Sequence, residues 1–141
     1  MAPLTNRTIT GGCACGQLRF EASAPPIDVA YCHCRICQRT TGAPVLAFAS
    51  FHMADFRYTS GTPAIYFSSE VGQRHFCASC GTQIEYRDRV NAQYAEVNVG
   101  ALDHPGIVGV DAQRRHRFGI ELDAPAFLLL VDEYIGDDVL G

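Results

Sequence analysis

Seven cysteines carry the chemical information in this chain, at positions 13, 15, 32, 34, 37, 77 and 80, and each lies two or three positions from another. An odd number cannot pair completely into disulfides. C-x-C and C-x-x-C spacings suit a shared metal ion, because both sulfurs of a short hook can face one centre, and zinc is the ion that sulfur ligands at these spacings select. Buried structural thiols have no reason to cluster, and a redox C-x-x-C would be one pair rather than three groups.

A closed zinc site takes four ligands, whereas a working site takes three and keeps a position open. Seven divides as four plus three. Cys15 is followed by Gly16 and Cys80 by Gly81, while Cys37 is followed by Gln38. Glycine there gives the positive φ that lets backbone N–H groups point at sulfur. Cys13, Cys15, Cys77 and Cys80 therefore look like two matching hooks for one closed site. Cys32, Cys34 and Cys37 remain as a trio with room for water or a substrate atom. The competing arrangement joins Cys34 and Cys37 to Cys77 and Cys80 and leaves Cys13, Cys15 and Cys32 without a role. His33, between two ligands of a tight hook, is expected to face away from the metal.

The elements that must hold these hooks read as short β segments with little helix. Arg7–Thr10 and Gln17–Glu21 alternate apolar and polar residues around a hairpin-like turn at Cys13–Gly16. Strands are also expected over Ile27–Tyr31, Pro44–Phe51, Phe56–Tyr58, Ala64–Phe67, Gln73–Phe76, Gln83–Arg87, Tyr94–Val99 and Phe127–Val131. Ser60–Pro63 and Asp103–Gly106 form turns. Arg35–Thr41 lacks strand character and is expected to make one or two helical turns. The fold class is mainly β: a single domain spanning 1–141, made of short antiparallel strands stapled by zinc, with little helix.

Composition narrows the chemistry. The 141 residues carry a formal net charge of −4, and 48% are hydrophobic, as in a packed globular chain. All eleven basic residues are arginine. The absence of lysine excludes Schiff-base chemistry, pyridoxal-phosphate anchoring and the Gly-Lys-Ser/Thr phosphate loop. No basic stripe interleaved with aromatics is present, so no nucleic-acid partner is expected; the short cluster Arg114–Arg117 reads as solvated surface. The longest apolar run, Ala126–Val131, is strand-sized, and no membrane span is expected. With no export signal read at the N-terminus, the expected compartment is the cytoplasm.

Other groups offer weaker chemistry. Glu70, Glu85, Asp88 and Glu96 show no pattern of paired catalytic carboxylates and are expected to face solvent. His52, His75, His104 and His116 are scattered and are expected to be structural or exposed. Ser68-Ser69 and Thr40-Thr41 lack a Gly-x-Ser-x-Gly context, which argues against a serine hydrolase. Tyr31, beside the trio, is an aromatic core residue that could also line a pocket.

The ordered set Gly12-Cys13-Ala14-Cys15-Gly16, Cys32-His33-Cys34-Arg35-Ile36-Cys37-Gln38-Arg39 and Gly42-Ala43-Pro44 resembles the glutathione-dependent formaldehyde-activating enzyme family, which has the centromere protein V group among its relatives. The resemblance continues through Phe56–Pro63, Phe76–Thr82 and Gly100–Pro105, covering about residues 9 to 106. Beyond that, His116 matches a family histidine, and Phe127 stands where many relatives carry tryptophan. The resemblance implies a mainly β zinc protein with a structural zinc on Cys13, Cys15, Cys77 and Cys80. It implies a catalytic zinc on Cys32, Cys34 and Cys37, so two ions in all. It further implies glutathione as thiol cosubstrate, a small aldehyde as partner, and carbon–sulfur lyase chemistry written as S-(hydroxymethyl)glutathione formation or cleavage. Glutathione carries two carboxylates, for which Arg35, Arg39 and Arg74 are the candidate anchors against a plain surface role. A non-catalytic zinc module for protein interaction and a thiol or zinc redox sensor are the alternatives to an enzyme.

Overall fold

The computed structural model describes residues 7–108. Within them the chain forms nine strands: β1 (Ile9–Gly12), β2 (Arg19–Ala22), β3 (Asp28–Cys32), β4 (Leu46–His52), β5 (Phe56–Ser60), β6 (Ala64–Phe67), β7 (Gly72–Phe76), β8 (Gln83–Asp88) and β9 (Tyr94–Asn98). One α-helix, α1 (Arg35–Thr41), lies between β3 and β4, and two short 3₁₀ turns follow β9. The expected strand Phe127–Val131, together with His116, Phe127 and Arg114–Arg117, lies outside the described residues.

The strands make two antiparallel sheets, one of three strands in the order β1-β2-β5 and one of six in the order β3-β4-β9-β8-β7-β6. The expected hairpin around the first cysteine pair is present: β1 pairs with β2, with Gly12 opposite Arg19. Ser60–Pro63 also turns the chain, but β5 and β6 belong to different sheets, so this turn carries the chain across the core rather than closing a hairpin. Gly61 makes that crossing at φ 72°, a left-handed conformation that glycine adopts without steric cost.

Alternation along each strand explains the core. Phe20 and Ala22 of the small sheet pack against Val29, Ala49, Phe51, Ala95 and Val97 of the large one, all buried. Full burial of such side chains is worth about 1.5–3 kcal/mol each. On β4 the intervening residues Leu46 and Phe48 point to the other face, where they pack against Cys32, Cys37 and Tyr86 in a second cluster. The large sheet is thus covered on both faces.

That double coverage corrects one expectation from the sequence. Glu85 and Glu96 do not face solvent: they are 1% and 7% exposed. Glu85 lies on β8 opposite Val97 and His75, and accepts hydrogen bonds from Tyr58 Oη (2.9 Å) and Arg87 Nη2. Glu96 accepts a short hydrogen bond from Ser50 Oγ, its register partner on β4. A buried carboxylate persists only when its charge and lone pairs are met in this way. Glu70 is exposed and Asp88 half-buried.

Candidate functional site

The cysteines fall into the two groups that the glycine pattern indicates. The Sγ atoms of Cys13, Cys15, Cys77 and Cys80 lie within 4.8 Å of one another, and so do those of Cys32, Cys34 and Cys37. The competing arrangement of Cys34 and Cys37 with Cys77 and Cys80 is not formed.

The four-cysteine cluster is made by two hooks of one design. In each, the carbonyl of the first cysteine accepts from the glycine after the second: Gly16 N–H to Cys13 at 3.1 Å and Gly81 N–H to Cys77 at 2.8 Å. Both glycines sit at positive φ, 80° and 78°. In each hook the first cysteine's own N–H closes back onto the residue just before the outgoing strand, Leu18 O (3.1 Å) and Thr82 O (2.9 Å). Ala14 N–H donates to Thr82 Oγ1 (3.0 Å) and Ser79 Oγ to Gln17 Oε1 (2.7 Å), which ties the β1–β2 turn to the β7–β8 turn.

Local hydrogen bonds hold two of the four sulfurs, Cys13 and Cys80, in the direction of the thiolate that a cation would bind. Hydrogen bonds from Thr82 lower Cys80 to about 5. The Leu18 N–H, 3.2 Å from its sulfur, lowers Cys13. Gln17's N–H also lowers Cys15, but neighbouring sulfurs and burial outweigh it and push Cys15 up to about 12. Four sulfurs this close cannot all ionise without a cation between them.

The trio arises at a strand-to-helix junction. Cys32 ends β3, Cys34 is the N-cap of α1, and Cys37 lies in its first turn. Cys34 Sγ accepts from Cys37 N–H at 3.3 Å, a capping bond that brings both sulfurs to one side. Gly42 ends the helix at φ 70°, its N–H bonded to Gln38 O. α1 lies over the outer face of the large sheet, where Gln83 Nε2 of β8 reaches Thr40 O at 3.5 Å. Cys32 is lowered by its hydrogen bond with the Cys37 thiol, and Cys37 is raised by the same interaction and by burial.

Both donor sets fit zinc. Four sulfurs at about 2.3 Å from a tetrahedral ion stand roughly 3.8 Å apart. Cys13 to Cys15 is 3.5 Å and Cys15 to Cys77 is 3.7 Å. Among the described residues no fourth His, Cys, Asp or Glu joins the trio, and His33 is not drawn in.

Arg74 departs from a surface role. It is 4% exposed, and its Nη2 donates to Cys37 Sγ at 3.4 Å. Residues 72 to 76 form the strand next to the edge of the large sheet, and Arg74 projects from the face that α1 covers, so its side chain meets Cys37 rather than water. Arg35 and Arg39 are exposed on α1, with Arg35 Nη1 bonded to Gln38 Oε1 (2.7 Å). His52 and His104 are exposed; His75 is buried 3.5 Å from Glu85 and is lowered chiefly by that burial. Phe48, Tyr86 and Ser68, which wall the trio or hold Arg74, carry no signal in the local sequence.

Fold and site together define a two-sheet β protein with one four-cysteine and one three-cysteine centre of metal-binding geometry. The chain belongs to the glutathione-dependent formaldehyde-activating enzyme family, whose sequence profile matches residues 8–117. Three chains among solved structures match it, including the crystal structure of a Rhodobacter sphaeroides protein. That likeness has 26% identity, covers 73% of this chain and 91% of that one, and has a TM-score of 0.56. Comparison with curated proteins gives no match.

Proposed function

We propose that the protein is a zinc-dependent carbon–sulfur lyase-type enzyme acting on glutathione adducts of small aldehydes, with formation or cleavage of S-(hydroxymethyl)glutathione as its reaction. The carrying observation is the unequal count of sulfurs, four converging at one site and three at the other. Family membership supports glutathione-dependent formaldehyde activation in general terms. In this reading Cys13, Cys15, Cys77 and Cys80 hold a structural zinc, and Cys32, Cys34 and Cys37 hold a catalytic one with a coordination position to spare.

In the forward direction glutathione sulfur forms a bond to the aldehyde carbon and the thiol proton ends on the aldehyde oxygen. Nothing is oxidised or reduced, and cleavage is the reverse. A zinc ion held by the trio would supply a centre that stabilises sulfur as thiolate near neutral pH, where a free thiol of pKa about 8.5 is mostly protonated. The chain's own groups do the rest. Phe48 and Leu46 shield the trio from bulk water on the sheet side. Arg35 and Arg39, exposed on α1, anchor glutathione carboxylates. Residues 1–141 act as one domain, and the compartment is the cytoplasm, in keeping with cysteines gathered as metal hooks rather than spaced for disulfides.

The test is a glutathione-dependent assay of zinc-loaded protein with formaldehyde and several small aldehydes, beside calorimetric titration of glutathione. Turnover with at least one aldehyde, together with glutathione binding heat, is expected. No turnover with any aldehyde and no binding heat would overturn the proposal.

A further inference from the structure

Arg74 is a buried charged side chain that has no carboxylate partner among the described residues, where every ion pair involves other groups. Its Nε donates to Ser68 Oγ (3.0 Å), its guanidinium lies 5.3 Å from the centre of the Tyr86 ring, and its Nη2 donates to Cys37 Sγ. Nη1 is buried and has no hydrogen-bond partner among the described residues. By register the carboxylates on that face are Asp88, on the neighbouring strand two residues beyond Tyr86 and accepting from the Val90 and Asn91 N–H groups, and Glu96, two strands away and bonded to Ser50; neither is paired with Arg74.

Arginine keeps its charge in proteins, and a cation this deep is tolerated only where an opposite charge meets it. A neutral hydroxyl and an aromatic face do not meet it fully. The trio does: three thiolates outweigh a divalent ion by about one negative charge, and Cys37 is the sulfur in contact. We infer that Arg74 is the internal counter-ion of the three-cysteine site, a positioning residue that holds Cys37 in place and balances the surplus charge of the loaded centre. Ser68 and Tyr86 aim the guanidinium, so the device reaches from β7 across the sheet face to α1. Among the described residues no buried arginine touches the four-cysteine centre: Arg19, whose charge acts on Cys13, is committed to Asp103, and Cys15 and Cys80 are exposed.

The inference rests on reading the trio as a metal site, and the test separates the two. Zinc affinity at each centre is measured by competition with a chromophoric chelator, with far-ultraviolet circular dichroism as the folding control. Arg74→Gln, which keeps a donor but loses the charge, should weaken the second zinc by about 10–100-fold and leave the first unchanged. Arg74→Lys should recover most of that loss. A folded Arg74→Gln with wild-type affinity at both centres overturns the counter-ion role, as do equal losses in Arg74→Gln and Arg74→Lys. If Arg74→Gln does not fold, Ser68→Ala decides. A severalfold weaker second zinc supports the assignment, and an unchanged one overturns it. Wild-type protein that binds one zinc only would instead overturn the metal reading of the trio.

Discussion

Tyr58, on a strand of the small sheet, donates its hydroxyl to Glu85 of the large sheet at 2.9 Å, so the two sheets are joined through their apolar core by a hydrogen bond to a buried carboxylate. Arg87 meets the remaining charge from the same strand as Glu85, at 2.9 Å through Nε. Burial and the adjacent Glu85 charge hold the Tyr58 phenol firmly protonated. Tyr58→Phe should cost about 1.5–3 kcal/mol, as for a hydrogen bond to a charged acceptor. Glu85→Ala should cost more, about 3–5 kcal/mol, because it leaves Arg87 half-buried without its partner. Urea unfolding of the zinc-loaded protein measures both, and the order of the two effects is the prediction.

Asp103 ties the end of the described chain to the first hairpin. Arg19 donates to both of its oxygens and Thr10 Oγ1 donates at 2.6 Å. These bonds, that from Arg19 foremost, lower the carboxyl to about 2. A depressed carboxyl contributes stability that is complete above its ordinary value near 4 and is lost as pH falls toward 2. The carboxyl is fully ionised in folded and unfolded chains from about pH 6 to 8, where the cysteine hooks still hold metal. Asp103→Asn should therefore lower the melting midpoint of the zinc-loaded protein by the same amount across that range, and an unchanged midpoint would contradict the assignment.

Gly61 and Gly100 form a matched pair of tests. A Cβ on Gly61 would lie 2.5 Å from Gln17 O at a φ of 72°, whereas one on Gly100 meets nothing within 4 Å. Gly61→Ala should destabilise by about 1–3 kcal/mol, and Gly100→Ala should stay within about 0.5 kcal/mol of wild type.

The cysteine hooks are legible in the sequence because their geometry is local. Two glycines at positive φ, placed directly after Cys15 and Cys80, mark which hooks match before any long-range contact is known. α1 is legible for the same reason, since Arg35–Thr41 is bounded by a capping cysteine and Gly42. Glu85, Glu96 and Arg74 are not legible. Each lies on an interior strand of the large sheet, and what covers it comes from 27 to 46 residues away: Tyr58 for Glu85, Cys37 of α1 for Arg74 and Ser50 for Glu96. Tyr58 and Glu85 are 27 residues apart in sequence, and nothing near either announces the other.

The two centres should respond differently to losing one sulfur. Structural zinc contributes about 10–16 kcal/mol to small metal domains, more than the whole stability of most folds. Cys80→Ser should therefore leave the chain unfolded or aggregated. Cys34→Ser should stay folded and lose only the trio's metal, since serine is itself a good N-cap for α1. Circular dichroism with metal analysis distinguishes these outcomes. Equal damage to folding would contradict the division between a structural centre and a working one.

The most direct measurement is zinc per chain, followed during addition of a chelator and then of glutathione. Two ions per chain are predicted, one released readily and protected or displaced by the thiol, the other retained until the protein unfolds. A single ion per chain, or two ions leaving together at one rate whether or not glutathione is present, would contradict the account.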